Sequence, residues 1–520
     1  PSLAYTNLGI IQRSGPAEAS FNEFNTLFLR DGLRLSTTGQ AGSLDTKGVE
    51  TVLSALVGRT SFSLGQYYYD TDGFRTNNEL KDKIFSAFVN SLVTPDLGIQ
   101  AEFRKRDRNS GDLRQAFDPD LFSRFADREI DEEVFRIGGH LRLGPDQDII
   151  ASVIHTDRRE EFQDRQLLVF EDPLFGPIEE INNVEATQDS RAWQGELAYV
   201  RKLERASIVA GGGLYNIDQN EFGFCTICDE SEIGKENTET AARNLFVYHT
   251  SRALPSTDLT LGLAYEDVDL GQRSVSGLSP KLGIEWRPAS WLSLRSALTR
   301  STKRSLITNQ TIEPTLVGGV SQFADEINGT RVDQVAAAGD VRLRHDLLAG
   351  ASWVHRELTP PPDSINGKRS NPDEDIVETY LHWMINDRTV ASAGGRFERF
   401  SQSAKDAAGD PTAVRTWSTP LELRYFAPKG VFATAAATHV QQQVELAAGG
   451  RHDEVDSSGW LLDATLGYRL PGRRGVLTVQ GFNLLDRRLK FRDESFRTPE
   501  FDNPRFFPQR TFLVGVTLSF

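Results

Sequence analysis

The chain has 520 residues, with 73 acidic against 58 basic side chains, a formal charge of −15 and only 38% hydrophobic residues. That acidity argues against nucleic acid as a primary partner. With a mean hydropathy of −0.40, no apolar run approaches the roughly 18 residues that a membrane helix needs. The longest greasy runs, such as Ile149 to Ile154, are strand-sized, and a membrane β-barrel keeps a low hydropathy because its lumen positions stay polar.

Residues Pro1 to Arg30 show no clean period and read as a periplasmic lead-in or the tail of an upstream domain. Residues 31–520 read as one barrel. From Asp31 the rhythm is strand, tight turn, strand, long polar connection. Strands are predicted near Gly32 to Ser43, Val49 to Val57 and Ser61 to Asp70. The last of these carries Tyr67, Tyr68 and Tyr69, read as part of a membrane-interface girdle.

The hairpin Lys83 to Arg106 is the clearest unit. Its second arm puts Leu97, Ile99, Ala101 and Phe103 on one face and Gln100, Glu102 and Arg104 on the other. Tight turns recur near Pro145, Glu204, Pro255, Pro288, Asp346, Asp387, Lys429 and Gly472. Longer segments lie near Asn109–Glu129, Arg159–Thr187, Glu221–Asn237, Thr302–Thr330, Thr359–Asp373, Gln402–Pro411, Ala447–Glu454 and Asp493–Phe507. Short and long connections alternate as periplasmic turns and extracellular loops do. The fold expected is all-β: a transmembrane antiparallel up-and-down β-barrel of about 22 strands with both ends periplasmic. A soluble propeller would repeat at blade length, and no such repeat is found.

Alternation points Arg104, Arg106, Arg142, Arg342, Arg344, Arg424 and Arg469 into the lumen, with Glu102, Glu196, Glu266, Glu285 and Glu422. They fit either selectivity rings for a passing solute or a mixed-sign hydrated wall, and the interleaving of signs favours the wall. Acidic residues gather at Asp127, Glu129, Asp131, Glu132 and Glu133 and again at Glu160, Glu161, Glu171, Asp172, Glu179 and Glu180, without calcium-loop spacing. The segment Leu167 to Ile181 is greasy for a loop and is a candidate inward constriction or partner contact. Trp286 and Trp291 flank one turn as interface anchors.

Cys225 and Cys228 are the only cysteines and read as a tight loop disulfide in an oxidising compartment. The eight histidines are scattered and no hydrolase, nucleotide or zinc motif appears, so neither enzyme chemistry nor a cofactor or metal is expected. The last strand alternates Phe512, Val514, Val516, Leu518 and the terminal Phe520 with Gly515, Thr517 and Ser519.

That ending resembles the closing strand of Gram-negative outer-membrane barrels, where it is the assembly signal; the resemblance implies outer-membrane lipid and the barrel-assembly machinery as partners. Two further stretches resemble TonB-dependent outer-membrane receptors. One is Leu462 to Leu470 with Val476 to Arg487, which holds an Asn483-Leu484-Leu485-Asp486 element where the family usually has Phe in place of Leu485. The other is Tyr67 to Asn78, similar to the family's first outer loop. The resemblance implies an outer-membrane transport protein that takes a ligand across the membrane, working with a plug and a TonB-type energy coupler. Neither a plug domain nor a TonB box is found in residues 1–30. The rival reading is an export or partner-filled pore on a periplasmic scaffold domain.

Overall fold

A strand whose side chains alternate apolar and polar has two different faces, and in a bilayer its backbone groups must all be paired by neighbouring strands. The computed structural model meets both demands with 22 antiparallel strands in one sheet closed on itself. It describes residues 31–114, 117, 120–172, 176–226, 234–271, 273–304, 310–322, 328–361, 371–402, 411–448, 451–492 and 509–520; the lead-in 1–30 lies outside them.

The first half of the wall comprises β1 (Gly32–Gly42), β2 (Lys47–Val57), β3 (Thr60–Thr71), β4 (Leu80–Leu92), β5 (Leu97–Ser110), β6 (Asp127–Gly144), β7 (Gln147–Asp172), β8 (Gly176–Leu203), β9 (Ala206–Cys225), β10 (Gly234–Ser251), β11 (Thr257–Asp269), β12 (Ser274–Ala289) and β13 (Leu292–Thr302). A separate short hairpin follows, β14 (Leu316–Val317) with β15 (Val320–Ser321). The wall then resumes with β16 (Arg331–Arg344), β17 (Leu347–Thr359), β18 (Asp373–Asn386), β19 (Thr389–Ser401), β20 (Pro411–Phe426), β21 (Val431–Ala448), β22 (Arg451–Arg469), β23 (Gly475–Phe482) and β24 (Thr511–Ser519).

Closure is made by the first and last strands. Ser36 to Gly42 of β1 pair with Leu513 to Ser519 of β24, and the seam is tied at its end by Leu35 N–H to Phe520 O at 3.1 Å and Phe520 N–H to Leu35 O at 2.9 Å. No sheet edge is left to face lipid.

The two faces separate as alternation requires. Leu245, Val247, Leu261, Leu263, Leu278, Leu282 and Val514 are exposed on the outside. Their neighbours Asn244, Glu266 and Lys281 are buried on the inside. Outside aromatics include Trp286 and Trp291, both exposed beside the turn between β12 and β13.

Several local expectations are corrected. The three consecutive tyrosines cannot share a face: Tyr67 is buried against Ile84 with Tyr69 packed beside it, inside the barrel, while Tyr68 is half-buried and donates to Asp70 at 2.8 Å. The acidic run Asp127 to Glu133 lies on β6, not in a loop, and faces the basic stretch of β5 in register, with Lys105 on Glu133 at 2.7 Å. Glu160 and Glu161 likewise sit on β7 with Arg158 and Arg159.

The predicted loops Arg159–Thr187 and Ala447–Glu454 are mostly strand. β7 and β8 stay paired out to Asp172 and Gly176, and β21 and β22 out to Ala448 and Arg451. Leu167–Asp172 and Gly176–Ile181 therefore prolong a wall hairpin. The longest loop expected near the C-terminus, Asp493–Phe507, lies outside the described residues.

A charge on the lipid face at mid-membrane costs about 2–4 kcal/mol, whereas one in a hydrated lumen costs little. Leu245→Arg is expected to lower unfolding stability in bilayers by about 2–4 kcal/mol. Ser352→Arg, on a half-exposed inner position beside Ala338, is expected to change it by less than about 0.5 kcal/mol. Urea unfolding in lipid vesicles reads both.

Candidate functional site

The described part of the connection from β13 to β16, residues 303–304, 310–322 and 328–330, does not project from the barrel. It is pinched at its neck, where Lys303 N–H donates to Thr330 O at 2.8 Å and Gly329 N–H to Lys303 O at 2.9 Å. It then runs down the inner wall as a strap. At its tip Gly318 and Gly319 have φ of 55° and 74°, the left-handed pair that a two-residue hairpin between β14 and β15 needs.

A Cβ on wall residue Gly283 would lie 2.4 Å from the Gly318 nitrogen, and one on Gly319 would lie 2.7 Å from the Arg295 side chain. Backbone thus rests on backbone. Arg295 is seven residues below Thr302 on β13, so at about 3.3 Å per residue the tip reaches roughly 20 Å into the barrel.

A charged cluster holds the strap. The Arg304 guanidinium, 2% exposed, sits 2.8 Å from Glu313 of the strap and 3.6 Å from Glu266 of β11. It also lies over the Tyr215 ring at 5.5 Å. Glu313 accepts from Tyr248 Oη at 2.6 Å and Asn244 Nδ2 at 3.0 Å. Glu266 accepts from Ser279 Oγ at 2.5 Å and Thr302 N–H at 2.8 Å.

Further along, Glu196 of β8 accepts from Tyr215 Oη at 2.8 Å, from Thr311 Oγ1 at 2.5 Å and from Ile312 N–H at 3.1 Å. Arg136 of β6, 2.7 Å from Glu102, donates to Gln310 Oε1 at 2.8 Å. On the other flank, Gln334 of β16 donates to Ser321 O at 2.8 Å. The strap therefore covers the wall from β6 to β16.

Apolar packing completes the seat. Val317 is fully buried with Ala198, Phe246, Tyr248, Ala264 and Ala297, and Ile312 and Val320 pack against the same cluster. The alanines at 198, 264 and 297 keep the wall low where the strap lies, so side chains of the strap fill space that larger wall residues would occupy.

Buried ions stabilise only when each is matched by a counter-charge and hydrogen bonds. Burial acts to push the Glu313 carboxyl up, but Arg304, Lys281 and the Tyr248 hydroxyl outweigh it and hold the carboxyl below its ordinary range.

A second connection also turns inward, on a different part of the wall. Asn483 and Asp486, with φ of 47° and 52°, form a turn after β23. Asn483 Oδ1 accepts from Arg487 N–H at 2.9 Å, and Asp486 Oδ1 from Arg510 N–H at 2.9 Å, which guides the chain towards β24. Leu489 and Phe491 then pack on Val440 and Leu461. Gln442 clasps the Arg492 backbone through bonds of 2.7 and 3.1 Å.

The charged residues singled out by alternation divide into two groups. Glu102, Glu196 and Glu266 are buried, and Arg104 is half-buried on the same face. Arg106 pairs with Asp82 at 2.8 Å, Arg424 with Glu422 at 3.0 Å and Glu285 with Arg287 at 2.8 Å. In contrast Arg142, Arg342, Arg344 and Arg469 are exposed within a few residues of the short turns. A bulge interrupts the pairing of β16 and β17 between Arg342 and Arg344, and Arg469 lies over the Phe426 and Phe432 rings. These four belong to the rim, because parity along a strand says nothing about height.

Sequence reasoning missed Arg304, Glu313, Tyr215, Tyr248 and Lys281. The signal for the strap was the Gly318-Gly319 pair between Leu316-Val317 and Val320. Among the described residues no cluster of three or more metal-ligating side chains occurs. Cys225 is buried, with Sγ 3.0 Å from Asn182 Oδ1, and Cys228 lies outside the described residues.

Residues 57–330 match the family model for the TonB dependent receptor-like β-barrel. The chain belongs to that family. Among solved structures it is similar to the copper transporter OprC, with a TM-score of 0.69 at 14% identity over 94% of this chain and 81% of that one. It is also similar to FpvA of P. aeruginosa, in complex with a heterologous pyoverdine and iron, with a TM-score of 0.67 at 12% identity over 94% and 72%. Fiu of E. coli K12, a ferric-catecholate import receptor, gives a TM-score of 0.67 at 12% identity over 94% and 82%. No curated protein matches. Membership places the chain in the bacterial outer membrane as the barrel of a transport protein.

Because folding of the strap depresses the Glu313 pKa, this carboxylate stabilises the docked strap above its unfolded value, near 4.5, and the contribution is lost as pH falls through the depressed value. Pepsin cleavage between Ile312 and Val320, normalised at each pH to cleavage of an unfolded substrate, is expected to be slow near pH 5 and to rise as pH falls further. Glu313→Gln leaves Arg304 short of a counter-charge. It is expected to weaken docking by about 3–5 kcal/mol and to open the bonds after Lys303 and Arg304 to trypsin at neutral pH.

Proposed function

We propose that this barrel takes a scarce ligand inward across the outer membrane, with the long-loop end outside the cell and the short turns and both barrel ends in the periplasm. What supports the reading is a closed 22-strand wall of a receptor family whose inner face carries paired charges, as in Arg424 with Glu422 at 3.0 Å and Arg106 with Asp82. A polar, self-neutralised inner face leaves a hydrated route, while the long loops supply a capture surface.

Energy comes from a TonB-type coupler acting on a plug, and the chain carries out no bond chemistry. The named neighbours handle copper, a ferric-catecholate and an iron-loaded pyoverdine; a metal chelate is accordingly the first ligand class to try.

Two connections at the long end hold each other in shape. Arg75 stacks between Phe74 and Phe122, at 5.2 and 4.8 Å, and contacts Asp112. Asn77 Nδ2 donates to Ser123 O and Ala126 O at 3.0 and 2.8 Å. The connection between β3 and β4 is thereby locked to the one between β5 and β6, a rigid platform for capture.

The last strand, through Phe512, Val514, Val516, Leu518 and Phe520, serves as the signal to the assembly machinery, and Cys225 with Cys228 closes a small loop disulfide. Removing Phe520 is expected to reduce the folded, heat-modifiable form in outer membranes severalfold. Alkylation mass spectrometry of unreduced protein is expected to leave both cysteines unmodified.

Cells with and without the gene, grown with iron or copper supplied only as chelates, test uptake. A growth deficit restored by the gene is expected; indifference across a broad chelate panel would falsify the proposal. Membrane-impermeant maleimide on whole cells is expected to label Leu121→Cys and leave Asp146→Cys untouched, and the reverse pattern overturns the orientation.

A further inference from the structure

We propose that the outer face of the barrel, from β20 across the β24–β1 seam to β2, is a binding site for an anionic phospholipid. Its acyl chains lie in two adjoining grooves and its phosphate meets the cationic side chains of the short turns. The inference goes beyond the transport reading and depends on the orientation given there only for which leaflet supplies the lipid.

The wall is low here. Two apolar grooves, of about 750 and 540 Å³, lie side by side and share Leu466 and Val479. Gly39 and Ala41 line the first, and Ala433, Ala435, Ala464 and Gly481 the second. Strand register puts all six on the face of Val479 and Val514, which are both more than half exposed to the outside.

The grooves begin at the short turns and run up one leaflet. Val431 and Leu477, which line the first groove, follow Lys429 and Arg474 by two and three residues. From Leu477 to Gly481 the path covers four residues of β23, about 13 Å at 3.3 Å per residue. Half of a hydrocarbon core is about 15 Å. Leu484 and the Phe512 ring close the far end, 2.7 and 3.2 Å from where a Cβ on Gly481 would lie.

Acyl chains meet apolar side chains all round a membrane barrel, so a groove alone favours no particular lipid, and charge supplies the selection. Between β6 and β18 the short-turn rim matches several of its cations. Lys202 lies 3.1 Å from Asp148, Arg287 3.1 Å from Asp258 and Arg252 3.5 Å from the same Asp258.

Below the grooves the cations are unmatched. Lys429 stands in the β20–β21 turn, Arg473 and Arg474 in the β22–β23 turn, and Arg34 and Arg59 beyond the seam. All five are exposed, and none forms an ion pair among the described residues. The one carboxylate side chain described on this stretch of rim, Asp31, accepts from the Gly58 N–H at 2.9 Å. Arg473 and Arg474 bring guanidinium forks suited to a phosphate, and Lys429 a point charge. Tyr425 and Tyr468, both exposed on the same outer face, sit where amphipathic rings meet lipid headgroups.

The test uses the full 520-residue chain in detergent, with folding checked by heat-modifiable gel mobility. Phosphatidylglycerol and phosphatidylcholine of identical chains are added in equal amounts. Native mass spectrometry reads which lipid stays bound, and a diazirine on the acyl chain reads where it lies.

Phosphatidylglycerol is expected to be retained at least fivefold over phosphatidylcholine, with cross-links concentrated in residues 431–435, 464–468 and 477–481. Combining Lys429→Gln, Arg473→Gln and Arg474→Gln is expected to bring the ratio below twofold. Combining Lys202→Gln, Arg252→Gln and Arg287→Gln removes as much charge from the matched rim and is expected to leave the ratio unchanged. Ala435→Leu with Ala464→Leu is expected to remove the cross-links from a barrel that still folds. Equal retention of the two lipids, an equal fall in both triple variants, or cross-links spread evenly round the barrel overturns the proposal. A barrel dimer cross-linked through the seam also overturns it and gives the grooves to a second copy. No readout here involves uptake, so this result and the chelate-growth result fail separately.

Discussion

Hydrocarbon offers no hydrogen bonds, so every backbone N–H and C=O that crosses it must find a partner within the protein. The rest of this structure depends on that constraint. It is why the sheet closes through β1 and β24, and why Phe520, the last residue, exchanges two backbone bonds with Leu35 near the start of the barrel. Closure in turn divides the side chains into a lipid set and a lumen set, and the lumen set is free to be charged.

Freedom to be charged brings its own requirement. Where the inner wall is covered, ions need partners, and the strap both buries and supplies them: Arg304 and Glu313 are contributed by the connection, Glu266 and Glu196 by the wall. The strap's position follows from this matching together with a seat of alanine and glycine. Elsewhere on the inner face, cross-strand ion pairs such as Arg356 with Glu374 supply counter-charges along the sheet itself.

Features that depend on period were legible in the sequence. The alternation of Phe512 to Phe520, the hairpin of Leu97 to Phe103 and the spacing of Pro- and Gly-containing turns lead to a barrel of the observed strand number, because lipid enforces a two-residue period along each strand. Height and depth were not legible. Arg142, Arg342, Arg344 and Arg469 have the parity of lumen residues yet sit at the rim, and the acidic run of β6 looked like a loop because strands that outrun the membrane lose their apolar face while keeping their pairing. The inward course of Arg304 and of residues 310–322 rests on contacts between Arg304 and Glu266 or Thr311 and Glu196, residues far apart in the chain. Only the Gly318-Gly319 turn leaves a local mark. Greasiness pointed to Leu167–Ile181, where Leu167–Asp172 and Gly176–Ile181 extend a wall hairpin.

Hydrogen–deuterium exchange of the protein in lipid bilayers tests the central claim most directly, because it ranks each segment by the opening it needs. If the strap is part of the packed wall, amides of Ile312 to Gln322 exchange on the timescale of β11 to β13. Exchange of the strap within seconds, alongside protected wall strands, would contradict the account and make the segment a mobile loop that merely rests in the lumen.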